Sequence, residues 1–121
     1  MAGTGTVLIV DDDAAIRLAV SWALGDAGFQ VALAENGQLA LDRVNSDPPA
    51  LLLLDMRMPI MDGWELARRY RSLPGPHAPI VVMTAAQDAR ERARQIQADD
   101  FLAKPFDLDA LVALVQRYIP N

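Results

Sequence analysis

Three short runs in this chain are apolar from end to end: TVLIV (6–10), ALLLL (50–54) and PIVVM (79–83). A strand with one wet face alternates apolar and polar residues, because successive side chains point to opposite sides. Runs without alternation read as strands covered on both faces, the usual state of a parallel sheet. FQVALA (29–34) and a fainter FLA (101–103) extend the set.

Helical patterns separate these runs. In 14–27, Ile16, Ala19, Val20, Ala23, Leu24 and Ala27 recur at i, i+3, i+4 spacing, and Gly28 stands where a left-handed cap would end the helix. In 107–119, Leu108, Leu111, Val112, Val115 and Ile119 repeat the stripe, with Asp107 as the expected N-cap. Segments 38–46 and 63–72 also read as helices. Segment 87–96, QDARERARQI, is helical by propensity, but its stripe is only Ala89, Ala93 and Ile96, so loose attachment is expected. A strand followed by a helix, repeated along the chain, predicts one doubly wound α/β domain over residues 1–121 with right-handed crossovers. SLPGPHAP (72–79) is the one Pro/Gly-rich stretch, and it joins a helix to a strand.

Composition removes several function classes. A net charge of −5 argues against a direct nucleic-acid binder, which needs clustered Lys and Arg. With no cysteine there are no disulfides, thiolate metal sites or Cys nucleophiles. The opening MAGTGTVLIVDDD has no basic segment ahead of a long apolar one, and no run approaches the length of a membrane span. A soluble, cytoplasmic domain without membrane contact is expected.

Ligands of open parallel sheets bind outside the carboxyl ends of the strands. There the chain places Asp11, Asp12 and Asp13 after LIV, Asp55 after LLLL, Thr84 then Ala85 and Ala86 after VVM, and Lys104-Pro105 after FLA. Each has an ordinary reading alone: Asp13 as an N-cap, Thr84 as a turn residue, Lys104 as a solvated charge. Together they share one rim. Clustered carboxylates repel, which raises their proton affinity or recruits a cation. With oxygen donors and no nearby His or Cys, a hard ion, Mg²⁺, is favoured over zinc. Lys104 as a point charge, Thr84 as a hydroxyl donor and Asp55 as nucleophile then match the needs of phosphoryl transfer.

The fragments VLIVDDD, LLLLDMRMPIMDG, VVMTA and DDFLAKPF, in this order and spacing, resemble the receiver domain of two-component response regulators over essentially the whole chain. The resemblance implies a flavodoxin-like (βα)5 fold with a five-stranded parallel sheet of order 2-1-3-4-5. It implies that Asp55 accepts a phosphoryl group, with Mg²⁺, from a phosphohistidine on a histidine kinase or histidine phosphotransfer protein. The domain would then be a signalling switch rather than a turnover enzyme, assisting its own phosphorylation and dephosphorylation. Matched to the family's pattern, Asp12 is the direct Mg²⁺ ligand and Asp11 acts through water. Asp55 contributes its side chain and Arg57 its backbone carbonyl. Thr84 bonds the phosphoryl group, Lys104 pairs with it, and Pro105 is the family's cis-proline. Phe101 takes the switch-aromatic position, and partner contacts of the 84–119 face would change for a downstream output protein or domain. Many relatives have Tyr there, so Phe101, without a hydroxyl, is expected to lie buried more of the time.

Two positions depart from the family. Gln97 stands where Gly usually permits positive φ, a conformation costing Gln about 1–2 kcal/mol. Leu114 stands where DNA-binding relatives that dimerise through their last helices often carry Arg. A haloacid-dehalogenase-type phosphohydrolase is the rival reading, but its second acid would fall on Arg57. A phosphorylation-independent interaction module is the other, and the intact acids, Thr84 and Lys104 argue against it. His77 reads as a loop residue, Leu18 and Trp22 as a surface pair, Trp64 and Tyr70 as partial core cover, and the arginines of 90–94 as a solvated face.

Overall fold

The computed structural model describes residues 5–120. Strands and helices alternate: β1 (Thr6–Val10), α1 (Ala14–Asp26), β2 (Gln30–Ala34), α2 (Gly37–Ser46), β3 (Leu51–Asp55), α3 (Gly63–Ser72), β4 (Ile80–Ala85), α4 (Ala89–Gln95), β5 (Asp100–Lys104) and α5 (Leu108–Tyr118). The strands form one sheet in the order β2-β1-β3-β4-β5, and every neighbouring pair is parallel. This is the flavodoxin-like arrangement that the family resemblance implied.

The unbroken apolar runs are explained by a core on each side of the sheet. Leu8, Val10, Leu52, Leu54 and Val82 face one way and pack with Ala40, Leu66, Tyr70 and Ile96. Val7, Ile9, Leu51, Leu53, Val81 and Met83 face the other and meet Val20 and Leu24 of α1 and Leu111 and Val115 of α5. Alternate residues thus serve opposite cores, and the only polar residues of β1 and β3 are the first of β1, Thr6, and the last of β3, Asp55.

Helix starts follow the acids and amides of the sequence. Asp13, Asn36, Asp62 and Asp107 each accept a backbone N–H of the first turn. Helix α4 is the exception, for Asp88 makes no such bond and the helix shrinks to seven residues from the expected 87–96. Gly28 adopts φ +95, ending the first helix as its position predicted.

Several expectations need correction. Strand pairing continues past the apolar runs, so Asp55 and Lys104 close their strands and Thr84 is the last but one of β4, rather than loop residues after them. The ladder is made by backbone groups and is indifferent to side-chain polarity. Tyr70 is buried rather than partial cover, because its hydroxyl accepts the Ala78 N–H at 2.7 Å. His77 is not idle. Its ring meets Tyr70 edge-on at 5.2 Å, and its Nε2 lies 2.7 Å from the Leu73 carbonyl oxygen. Leu114 is buried in the core beneath α5. Leu18 and Trp22 are exposed, as read. The Lys104–Pro105 peptide is cis, as the resemblance implied, and so is Gly75–Pro76.

Leu53 is fully buried and Leu18 largely exposed. Leu53→Ala is expected to lower unfolding stability by about 2–5 kcal/mol in urea titration, through lost transfer energy and a cavity. Leu18→Ala should stay within about 0.5 kcal/mol of the parent.

Candidate functional site

The parallel register assembles the acidic rim. Val10 of β1 pairs with Leu54 of β3, so Asp11 and Asp55 emerge side by side. Asp55 in turn lies beside Met83, the residue before Thr84, and Lys104 pairs in register with Ala85. From the edge strand, Lys104 reaches back across the rim. Its Nζ is 2.8 Å from Asp11 Oδ2 and 3.6 Å from Asp55 Oδ1. Asp11, Asp55 and Thr84 are buried, whereas Asp12 is exposed.

Local geometry holds these carboxylates in place. The Asp13 N–H donates to Asp11 Oδ1 and the Met56 N–H to Asp55 Oδ1, both at 2.9 Å. Arg17, one turn into α1, donates from Nη1 to the Asp11 carbonyl at 2.8 Å. The Asp62-Gly63 pair folds back under the strand end. Asp62 caps α3, the Gly63 N–H donates to the Met56 carbonyl, and a Cβ on Gly63 would lie 2.8 Å from the Asp55 carbonyl oxygen. Between them Ile60 has φ +72 at the centre of a three-residue turn closed by the Met61 N–H on the Pro59 carbonyl. A β-branched residue there is strained by about 1–3 kcal/mol. Met61 is buried, and its carbonyl accepts the Gly37 N–H at 3.1 Å, which anchors the turn to α2.

Electrostatics follow from burial. The Asp55 carboxyl is pushed up from 3.8 to about 6, first by burial, then by the facing charge of Asp11, with Asp12 adding to it. The Lys104 ammonium and the Met56 N–H oppose that rise. One carboxylate oxygen from each of Asp11, Asp12 and Asp55 can be chosen so that all lie within 4.8 Å of one another. Two oxygens bound to one Mg²⁺ at its usual distance are at most about 4.2 Å apart, so a small closing of side chains completes the set. The donors are all hard oxygens, which fits that ion.

The other expected residues are placed as follows. Arg57 is exposed two residues beyond Asp55, and Pro105 is exposed beside Lys104. Phe101 is half buried rather than tucked inward, and the Arg90 guanidinium carbon lies 5.3 Å above its ring. The arginines of 90–94 are therefore not simply a solvated face, since Arg92 in turn lies over Trp64 at 5.2 Å. Sequence reasoning missed Arg17, Arg90 and the strained Ile60. Only Arg17 carried a signal, a lone cation one turn into a helix that starts at an acidic cluster.

Comparison with known proteins places the sequence and the fold. The family model described as the response regulator receiver domain matches residues 7–116. The chain is 41% identical over 121 residues to the response regulator MprA of Mycolicibacterium vanbaalenii, covering 95% of this chain and 52% of that protein. It is 44% identical over 119 residues to the DNA-binding transcriptional regulator NtrC of Escherichia coli K12, covering 97% of this chain and 25% of that one. The chain therefore spans about half or less of the length of these curated relatives. The crystal structure of a CheY-like response regulator receiver domain protein from Methanospirillum hungatei superposes with a TM-score of 0.83 at 37% identity, covering 96% of this chain and 94% of that one. On the match over residues 7–116 and the shared sheet order, this chain belongs to the response regulator receiver domain family of two-component systems.

Proposed function

We propose that residues 1–121 form one receiver domain whose Asp55 takes a phosphoryl group from a phosphohistidine on a histidine kinase or histidine phosphotransfer protein. The observation that carries this reading is the buried Asp55 beside Asp11 and Asp12, within reach of Lys104. In the transfer, an Asp55 carboxylate oxygen forms the new O–P bond as the N–P bond breaks, and the freed imidazole picks up a proton. Asp12, the Asp55 side chain and the Arg57 carbonyl would hold Mg²⁺ directly and Asp11 through water, and the ion would supply positive charge against the phosphoryl oxygens. Lys104 moves its charge from the Asp11–Asp55 pair onto the phosphoryl group, and the Thr84 hydroxyl donates to another of its oxygens. Phe101 follows Thr84, changing the 84–119 face seen by an output partner. The same groups let the domain assist its own phosphorylation and dephosphorylation without being a turnover enzyme. The net charge of −5 favours protein contacts over direct nucleic-acid contact for this domain. Among the described residues no helix is long and apolar enough to cross a membrane, and a cytoplasmic location belongs to the same proposal.

Incubation with acetyl phosphate and Mg²⁺ should add one phosphoryl group by mass, and Asp55→Asn should abolish it. Labelling that persists in Asp55→Asn, or multiple turnover of a generic phosphate ester, defeats the assignment.

The raised Asp55 carboxyl makes a second expectation. Between pH 3.8 and about 6 the folded state holds a proton that the unfolded state has lost. This group's contribution is therefore fully present below pH 3.8 and lost as pH rises through about 6. At pH 7.5 without divalent ions, Asp55→Asn should raise stability by on the order of 1–2 kcal/mol, and saturating Mg²⁺ should stabilise the parent more than the variant. Thermal melts at pH 4 and 7.5 check this, and the gain should vanish at the lower pH.

A further inference from the structure

Helix α4 is weakly attached by its own residues. It offers the core only Ala89 and Ala93, followed by Ile96. It closes in a turn where the Ala98 N–H donates to the Ala93 carbonyl at 2.9 Å and the Gln97 N–H to the Arg94 carbonyl at 3.2 Å. That closure puts residue 97 in the left-handed region, φ +53, with Gln in a place that suits Gly. Further bonds are supplied from α3. The Arg71 guanidinium, on α3, donates to the carbonyls of Ile96 and Gln97. The Trp64 indole N–H, on the same helix, donates to Gln95 Oε1 at 2.8 Å, and Arg92 lies over the Trp64 ring.

We propose that Arg71 and Trp64 form a latch on α3 that keeps α4 in its resting position and so restrains Thr84 and Phe101 from rearranging toward a phosphoryl group on Asp55. The proposal rests on the phosphoacceptor reading above. Helix α4 can act on both residues. The Asp88 N–H donates to the Ala85 carbonyl at 2.9 Å, one residue beyond Thr84, and Arg90 of α4 covers the Phe101 ring. The latch is polar and lies at the surface, so water replaces its bonds at small cost when α4 moves. A tightly packed apolar contact would not release so readily. Opening the latch lowers the cost of the rearranged state, and any ligand that selects that state then binds more tightly.

The test uses the parent chain, Arg71→Gln, Gln95→Ala and the double variant Arg71→Gln/Gln97→Gly. Two quantities are measured: amide hydrogen exchange at Gln97 and Ala98, and affinity for beryllofluoride with Mg²⁺, a phosphoryl mimic. Arg71→Gln should speed exchange at both amides and tighten beryllofluoride binding roughly fivefold. Gln95→Ala, at an exposed position, should tighten it in the same direction, and it carries the test should Arg71→Gln fold poorly. In the double variant, glycine accepts the left-handed turn without strain, so exchange should slow again. The Arg71 bonds from α3 stay broken, so binding should stay tight. Unchanged or weaker binding in the single variants overturns the latch. Affinity restored by Gln97→Gly also overturns it, because Arg71 would then act as a local cap only. A parent that binds no beryllofluoride defeats the phosphoacceptor reading, and unchanged exchange in Arg71→Gln then overturns the latch separately.

Discussion

Two carboxylates buried side by side at the ends of neighbouring parallel strands repel each other, and a single lysine from the sheet edge holds them together. Lys104 sits closer to Asp11 than to Asp55, at 2.8 Å against 3.6 Å. Asp55 is thus the less neutralised of the pair, in keeping with a carboxyl that burial and Asp11 push up to about 6. A fold that only needed stability would place an apolar residue there. The arrangement costs stability at neutral pH and leaves a carboxylate oxygen at the rim for the phosphoacceptor role proposed above.

The surrounding structure maintains that arrangement by rigid means. Register pairs β1, β3 and β4 so that Asp11 and Asp55 leave the sheet at one level, with Thr84 one residue beyond it. Fully apolar strand interiors make a one-residue slip expensive on both faces at once. The turn after β3 is strained at Ile60 and tolerates only glycine at position 63, yet it is tied to α2 through Met61. Strain of this kind persists where neighbouring packing over-determines the chain.

The opposite quality appears around α4. Helices α1, α2, α3 and α5 begin with a side-chain cap, whereas α4 has none. It packs on the sheet through the small Ala89 and Ala93 and through Ile96, and its bonds to α3 come from arginine, tryptophan and glutamine. Such bonds exchange with water at little net free energy, which suits the release of α4 proposed above. A rigid acidic rim beside a loosely held helix is the division of labour that a phosphorylation switch requires.

The sequence by itself determined the sheet and the chemistry of its rim. Five apolar runs alternating with helical stripes admit one class of fold, and acids, a hydroxyl and a lysine at strand ends fall on one edge because parallel strands share a direction. Helix caps were equally legible at Asp13 and Asp107, being local bonds over two or three residues. Only the tertiary structure decided the contacts made across distance. These are Lys104 bridging Asp11 and Asp55, Arg90 over Phe101, and Arg71 on the carbonyls that follow α4. Periodicity reports which side of an element is buried. It does not report which long, flexible cation on one element meets which partner on another, because that depends on distances set only when the layers pack.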